Sequence, residues 1–233
     1  MGNNLPTVDL GTGKTAKQVV AGSAHTCAVL NDDTVKCWGY GLYGQLGYGD
    51  TSNRGDQANE MGNNLPTVDL GTGKTAKQVV AGSAHTCAVL NDDTVKCWGY
   101  GLYGQLGYGD TSNRGDQANE MGNNLPTVDL GTGKTAKQLV AGYYHTCAVL
   151  NDDTVKCWGL GNYGQLGYGD TTNRGDGPNE MGNQLPTVDL GTGKTAKQLV
   201  AGNYHTCAVL NDDTVKCWGW GGNGRLGYGD TTD

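Results

Sequence analysis

Along residues 16–39 the apolar positions alternate with polar or small ones. Val19 and Val20 sit in a run from Ala16 to Ala21, Gly22 interrupts it, and the run resumes as His25-Thr26-Cys27-Ala28-Val29-Leu30. After Asn31-Asp32-Asp33 come Thr34-Val35-Lys36-Cys37-Trp38 and Gly39. Strand side chains point alternately to opposite faces, so Cys27 shares a face with Val29, and Val35 with Cys37. Aligning those faces makes His25–Leu30 and Thr34–Trp38 a hairpin in which Cys27 opposes Cys37 and Val29 opposes Val35. The three-residue loop then puts Asp33 near the left-handed region, which Asp tolerates better than most residues. Ala16–Ala21 reads as a further strand. So does Leu5-Pro6-Thr7-Val8-Asp9-Leu10, with Pro6 suited to a strand start or sheet edge.

This pattern returns every 60 residues, at 81–99, 141–159 and 201–219. The units are 1–60, 61–120, 121–180 and 181–233, and the first two are identical. That identity points to a very recent amplification or to a consensus-like, designed array. Repeat units bury their apolar faces only against neighbours, so 1–233 reads as one domain of four units. Between Gly39 and Asp50 glycines recur too densely for a helix or a regular strand. The expectation there is a compact ordered loop with Leu46 and Tyr48 turned inward, followed by a polar surface connection over 51–59. Four short strands per unit predict an all-β protein built as a β-propeller of four-stranded blades. A parallel β-helix is the alternative, although its coils are shorter than this period.

Composition narrows the function classes. Gly is 41 of 233 residues, Phe is absent, and the net charge is −7 with no basic stripe, which disfavours nucleic acid. No apolar run reaches the ~18 residues of a membrane span. The opening Met-Gly-Asn-Asn shows no charged n-region or apolar h-region, so no signal peptide is expected in this stretch.

Ala-Gly-x-x-His-Thr, the hairpin, Trp-Gly and then Tyr-Gly-Gln-Leu-Gly-x-Gly-Asp together resemble the repeat of the regulator of chromosome condensation, in all four units. The resemblance implies a β-propeller, usually of seven blades. It also implies an interaction module: members include an exchange factor for a small GTPase, a plant ultraviolet photoreceptor, a bacterial β-lactamase inhibitor and regions of ubiquitin ligases. Here Asp32-Asp33 replaces the family's usual Asp-Gly, and there are four units. The photoreceptor's tryptophans are absent, their places held by Ser23-Ala24, Tyr143-Tyr144 and Asn203-Tyr204. In the family the Pro-containing segment completes the preceding blade as its outer strand. Leu65–Leu70 then completes blade one, and Leu5–Leu10 is left without a blade. Four blades closing alone would need about 90° of turn each, and an open arc exposes apolar faces and a strand edge. The expected assembly is a homodimer by N-terminal strand donation, an eight-bladed ring in which each chain completes the other's fourth blade; the alternative is a fragment of a longer natural array.

The chemical candidates are few. Four cysteine pairs recur, Cys27 with Cys37, Cys87 with Cys97, Cys147 with Cys157, and Cys207 with Cys217. They are either disulfides, implying an oxidising or extracellular compartment, or buried free thiols. His25 shares a face with Cys27 and Cys37, but the spacing fits no closed zinc site, and a structural histidine bonded near the turn is expected. Gly11-Thr12-Gly13-Lys14-Thr15 lacks the leading glycine of a phosphate loop. Arg54-Gly55-Asp56 is read as a chance tripeptide, and Asp50, Asn53 and Asp56 miss the calcium-loop spacing. No catalytic group, metal or cofactor is expected, and the chain reads as a non-enzymatic scaffold. The differences between units cluster at Tyr40, Tyr100, Tyr143, Tyr144, Asn162, Asn203, Tyr204, Trp220, Asn223 and Arg225, flanking the hairpin at its base. Tyr, Trp and Arg dominate binding hot spots, so these residues are the candidate face for a protein or peptide. The alternatives are that they are merely tolerant loops, and that the array is structural, without a natural ligand.

Overall fold

A computed structural model describes residues 2–233; Met1, which opens the first unit, lies outside them. Each unit folds as one antiparallel sheet. In the first, β1 (Ala16–Ala21) pairs with β2 (His25–Leu30), and β2 with β3 (Val35–Gly39). The second holds β4 (Ala76–Ala81), β5 (His85–Leu90) and β6 (Val95–Gly99), and the third β7 (Ala136–Ala141), β8 (His145–Leu150) and β9 (Val155–Gly159). The fourth holds β10 (Ala196–Ala201), β11 (His205–Leu210) and β12 (Val215–Gly219). The register is the expected one: Cys27 faces Cys37 and Val29 faces Val35, and this recurs in every sheet. Asp33 takes φ 63° and Asp93 φ 64°, which turns the chain tightly enough for Asp33 N–H to reach Leu30 O at 2.9 Å.

The sheets are three-stranded, not four-stranded. The segment 65–70 runs along β3 of the preceding blade, yet it makes a single ladder bond there, Val68 N–H to Val35 O at 2.8 Å. Pro66 has no N–H to give, and one bond does not make a strand. The position is held by burial instead: Leu65, Val68 and Leu70 are all buried. A second anchor is Lys36, whose Nζ donates to Leu10 O at 2.9 Å and to Gly62 O at 2.6 Å, bridging its own unit's opening segment and the next one's. Lys96 and Lys156 repeat this, and burial pulls the pKa of these ammonium groups down. An apolar residue at these positions would leave two carbonyls unpaired.

Three junctions of one kind stack the four blades. At the first, Cys27, Val29, Val35, Cys37 and Leu46 pack against Val79, Leu90 and Trp98 of blade two. Val20 and Val79 stand for a rule: the position of Val20 faces the following blade, and that of Val19 the preceding one. Polar bridges cross each junction. Gln18 Nε2 donates to Val79 O at 2.9 Å while its Oε1 accepts from Val79 N–H at 2.9 Å, so the side-chain amide mimics a peptide unit between inner strands. Trp98 Nε1–H and Thr86 Oγ1–H both donate to Gln45 O, at 3.1 and 2.8 Å. Nearest the axis, Ser83 N–H reaches Tyr143 O at 3.1 Å and Tyr143 N–H reaches Asn203 O at 3.0 Å.

Trp98 is fully enclosed, so Trp98→Ala should cost about 4 kcal/mol. Urea unfolding at neutral pH measures this. In the single chain Trp38 is half-buried at the open end of the arc, so on the same substitution it should lose visibly less, and equal losses would mean that this end is covered by a second copy.

Candidate functional site

Two loops leave each sheet beside the base of the hairpin: 22–24 before β2, and the glycine-rich loop after β3. Gly99, at φ 103°, is the hinge of the second. A Cβ there would meet Ala84 O at 2.6 Å, so the loop can only turn back over the sheet at a glycine. The turn is fastened by Tyr100 N–H to Ala84 O at 2.9 Å and Tyr103 N–H to Gln105 Oε1 at 2.9 Å. Leu106 is buried, and Tyr108 sits inward with its hydroxyl donating to Cys97 O and accepting from Cys97 N–H. Burial raises the pKa of that phenol.

On these loops the rings touch in an unbroken series across all four blades. Tyr40 meets Tyr43 at 6.2 Å, Tyr43 meets Tyr100 at 4.8 Å, and Tyr100 meets Tyr103 at 6.1 Å and Tyr144 at 5.7 Å. Tyr143 packs on Tyr144 at 4.4 Å and on Tyr204 at 5.4 Å. Tyr163 links Tyr204, at 5.2 Å, to Trp220, at 5.7 Å. The series ends where the Arg225 guanidinium lies 3.7 Å over the Trp220 ring, with Nε donating to Gly222 O. The tilted and edge-on ring pairs are the favourable geometries. Desolvation and the neighbouring Tyr143 push the Tyr144 phenol up to about 12.

The structure therefore brings Tyr40, Tyr100, Tyr143, Tyr144, Tyr204, Trp220 and Arg225 together. Asn162, Asn203 and Asn223 are exposed on the same loops but belong to no ring contact. Tyr43, Tyr103 and Tyr163 complete the series, and comparing units misses them because they are the same in the first three. The available signal was their spacing, three residues after the variable position and across a tight glycine turn. Leu42 and Leu102, half-exposed, add apolar surface between them.

The other candidates resolve into structure. The cysteines are disulfides in every blade: Cys27 is bonded to Cys37, Cys87 to Cys97, Cys147 to Cys157, and Cys207 to Cys217. The alternative of buried free thiols is thereby corrected, since no cysteine is left unpaired among the described residues. Cys147 and Cys157 are completely buried in the third junction, and so are the pairs of blades one and two in theirs, so these residues serve the core and not the partner-binding face. The physical reason for the pairing is the register, which sets Cys157 directly opposite Cys147 within bonding reach.

His25 is structural, but its partner is across the junction: Nε2 lies 2.9 Å from Thr86 Oγ1. Thr86 spends its proton on Gln45 O, so His25 Nε2 carries the hydrogen and Nδ1 is left bare and buried. Burial pulls His25 down to about 4, and His85 and His145 to about 3. Asp50 is occupied, accepting from Ser52 N–H and pairing with Arg54, and no group of three or more metal-ligating side chains gathers among the described residues. Lys14 pairs with Asp32, whose pKa that bond pulls down to about 2, so the glycine turn presents no free cation to a phosphate. Among the described residues no helix is long and apolar enough to cross a membrane.

Three-stranded blades stacked around an axis, with one loop face carrying exposed rings, define an arc of a β-propeller. Its repeat matches the regulator of chromosome condensation (RCC1) repeat at residues 16–45, 76–105, 136–165 and 196–225, and a second description of that repeat at 32–89, 92–149 and 152–209. The chain belongs to this repeat family. It is similar to the ultraviolet-B receptor UVR8 of Arabidopsis thaliana, 35% identical over 217 residues that cover 92% of this chain and 44% of that protein. It also resembles the human E3 ubiquitin-protein ligase HERC2, 29% identical over 94% of this chain and 4% of that protein. The chain thus spans less than half the length of these relatives. Among solved structures, yeast RCC1 (Prp20) bound to Kap60 superposes with a TM-score of 0.69 at 19% identity, covering 97% of this chain and 48% of that one. Human WBSCR16 superposes at 0.70 and 21% identity, covering 95% and 52%. At these identities the superpositions establish the fold.

Proposed function

We propose that this chain is a non-enzymatic protein-interaction scaffold that holds a protein or peptide on its aromatic loop face. The observation that carries the reading is the unbroken ring series from Tyr40 to Trp220, capped by Arg225 and left open to solvent. Rigid rings offer contact area at little entropic cost, and Tyr, Trp and Arg are the residues on which binding energy concentrates. Yeast RCC1 has been crystallised with Kap60, and its binding to Gsp1p and histones is described, so propellers of this shape serve as protein-binding platforms. The scaffold works as a homodimer, each chain giving its opening segment to the other's fourth blade in an eight-bladed ring.

A displayed peptide library selected on the wild-type chain tests the face. Selected peptides should bind Tyr143→Ala/Trp220→Ala at least tenfold more weakly, the loss of about 1.4 kcal/mol or more. Lys17→Ala, on the far side of the hairpin, should bind as wild type. Equal affinity for the double variant would remove the aromatic face from consideration. The identity of units one and two favours a second reading, a structural array amplified for its self-assembly, and a library that yields no binder would support it.

A further inference from the structure

The three internal junctions show what each end of the arc is shaped to receive. Every blade but the fourth is covered by the opening segment of the following unit, and every unit but the first lays that segment on a blade. Leu65 is 1% exposed and Val68 5%, whereas their equivalents Leu5 and Val8 are 62% and 56% exposed. On the receiving side Val35 is 0% exposed and Val215 is 58%. The same holds near the axis, where Val79 is 1% exposed but Val19 59%, and Val80 is 9% exposed but Val200 54%. The surface left bare at one end is therefore the counterpart, residue for residue, of the surface left bare at the other.

The polar groups tell the same story. Lys36, Lys96 and Lys156 each hold two carbonyls, but among the described residues Lys216 holds only Leu190 O. The second acceptor elsewhere is the glycine opening the next unit, and its counterpart is Gly2. Thr12, Thr72 and Thr132 each exchange two bonds with an asparagine of the next unit, Asn63, Asn123 or Asn183, and Thr192 has no such partner among the described residues. Its counterpart is Asn3, exposed at the chain start. Across the blade faces, Trp98, Trp158 and Trp218 each donate to a glutamine carbonyl of the preceding blade. Trp38 has no acceptor among the described residues, and the carbonyl in the matching position is that of Arg225.

We infer that blade four carries a docking site for residues 2–12 of a second copy of this chain, with the partner's Leu5 and Val8 covering Val215. Lys216 then takes the partner's Gly2 carbonyl, and Thr192 pairs with the partner's Asn3. The occupant is a second copy, since the geometry that seats this segment is already built three times within the chain from the same residues. Two such contacts related by a two-fold axis close the ring. This inference rests on the homodimer reading above and assigns its site.

Light scattering of the chain at neutral pH decides the matter, with the expected mass twice the 24.3 kDa of one chain. Leu5→Asp/Val8→Asp places charges at positions exposed within the chain, so the variant folds, which circular dichroism checks, and its mass should halve. Val215→Asp on the receiving side should do the same. A wild-type mass of 24.3 kDa overturns both the homodimer and this site. Open-ended oligomers overturn closure by two copies. A dimer that survives all three substitutions keeps the homodimer and overturns this site. The aromatic-face reading is untouched by any of these results, since its test needs only peptide binding.

Discussion

In the single, undimerised chain, reduction should unfold this protein blade by blade, beginning with the fourth. Each disulfide closes the same hairpin, with 10 residues of separation between its cysteines. A loop of that size confines the unfolded chain by about 3 kcal/mol per bridge. Four bridges approach the whole stability of an ordinary domain, about 5–15 kcal/mol. Access sets the order: the cysteines of blades one to three are buried beneath the following unit, whereas Cys207 and Cys217 are half-exposed. Alkylation of the untreated protein should leave its mass unchanged. Graded reduction followed by alkylation should first label Cys207 and Cys217, then the others together with loss of sheet signal. Labelling without reductant would mean free thiols, and simultaneous labelling of all eight would mean that blade four is as well covered as the rest. If two copies close into a ring, that covering arises on dimerisation, so Leu5→Asp/Val8→Asp should restore the early labelling of Cys207 and Cys217.

Mild acid should be the second large insult. His25, His85 and His145 are buried with a bare Nδ1, and their folded pKa values lie at about 4, 3 and 3. In the unfolded chain they titrate near 6.5. Because the folded values are depressed, the unfolded state takes up protons first as pH falls. Their contribution is intact above about pH 6.5 and drains away towards the folded pKa values. Between pH 7 and pH 5 each histidine should cost about 2 kcal/mol, so the three together cost about 6. His205, half-exposed at the open end, shifts in the same direction and is left out of that sum. Urea titrations at pH 7, 6 and 5 test this, with most of the loss falling below pH 6. A stability that is level across that range would mean that the imidazoles are not desolvated as described.

Much of the fold is legible in local order. Period-two alternation gives β2 and β3, facing cysteines give the register, and Asp33 marks the turn. What escapes local reading is whatever depends on the neighbouring blade. The Leu5-to-Leu10 segment reads as a short strand, but its equivalent at 65–70 fills the crease beside a sheet with Leu65, Val68 and Leu70 and makes one ladder bond. His25 reads as a residue bonded near its own turn, yet its partner Thr86 lies 61 residues away. Nothing local marks Lys36, although it clamps two carbonyls of different units. The binding face is half legible: differences between units pick out Tyr143, Tyr144 and Trp220, while at the position of Tyr43, Tyr103 and Tyr163 they pick out only the fourth unit's Asn223, which lies outside the ring series.

The likeness of the junctions has a kinetic side. Blades one and two are the same sequence, so blade three meets two indistinguishable receiving surfaces while the chain is collapsing. A nascent arc that seats blade three on blade one strands blade two outside the stack, and escape requires a formed interface to break. Refolding from denaturant should thus show a slow phase from such misthreaded arcs, as repeat proteins are prone to do. Rewriting the apolar surface of blade one with volume-matched residues, so that it no longer duplicates its neighbour, should abolish that phase while leaving the final arc unchanged.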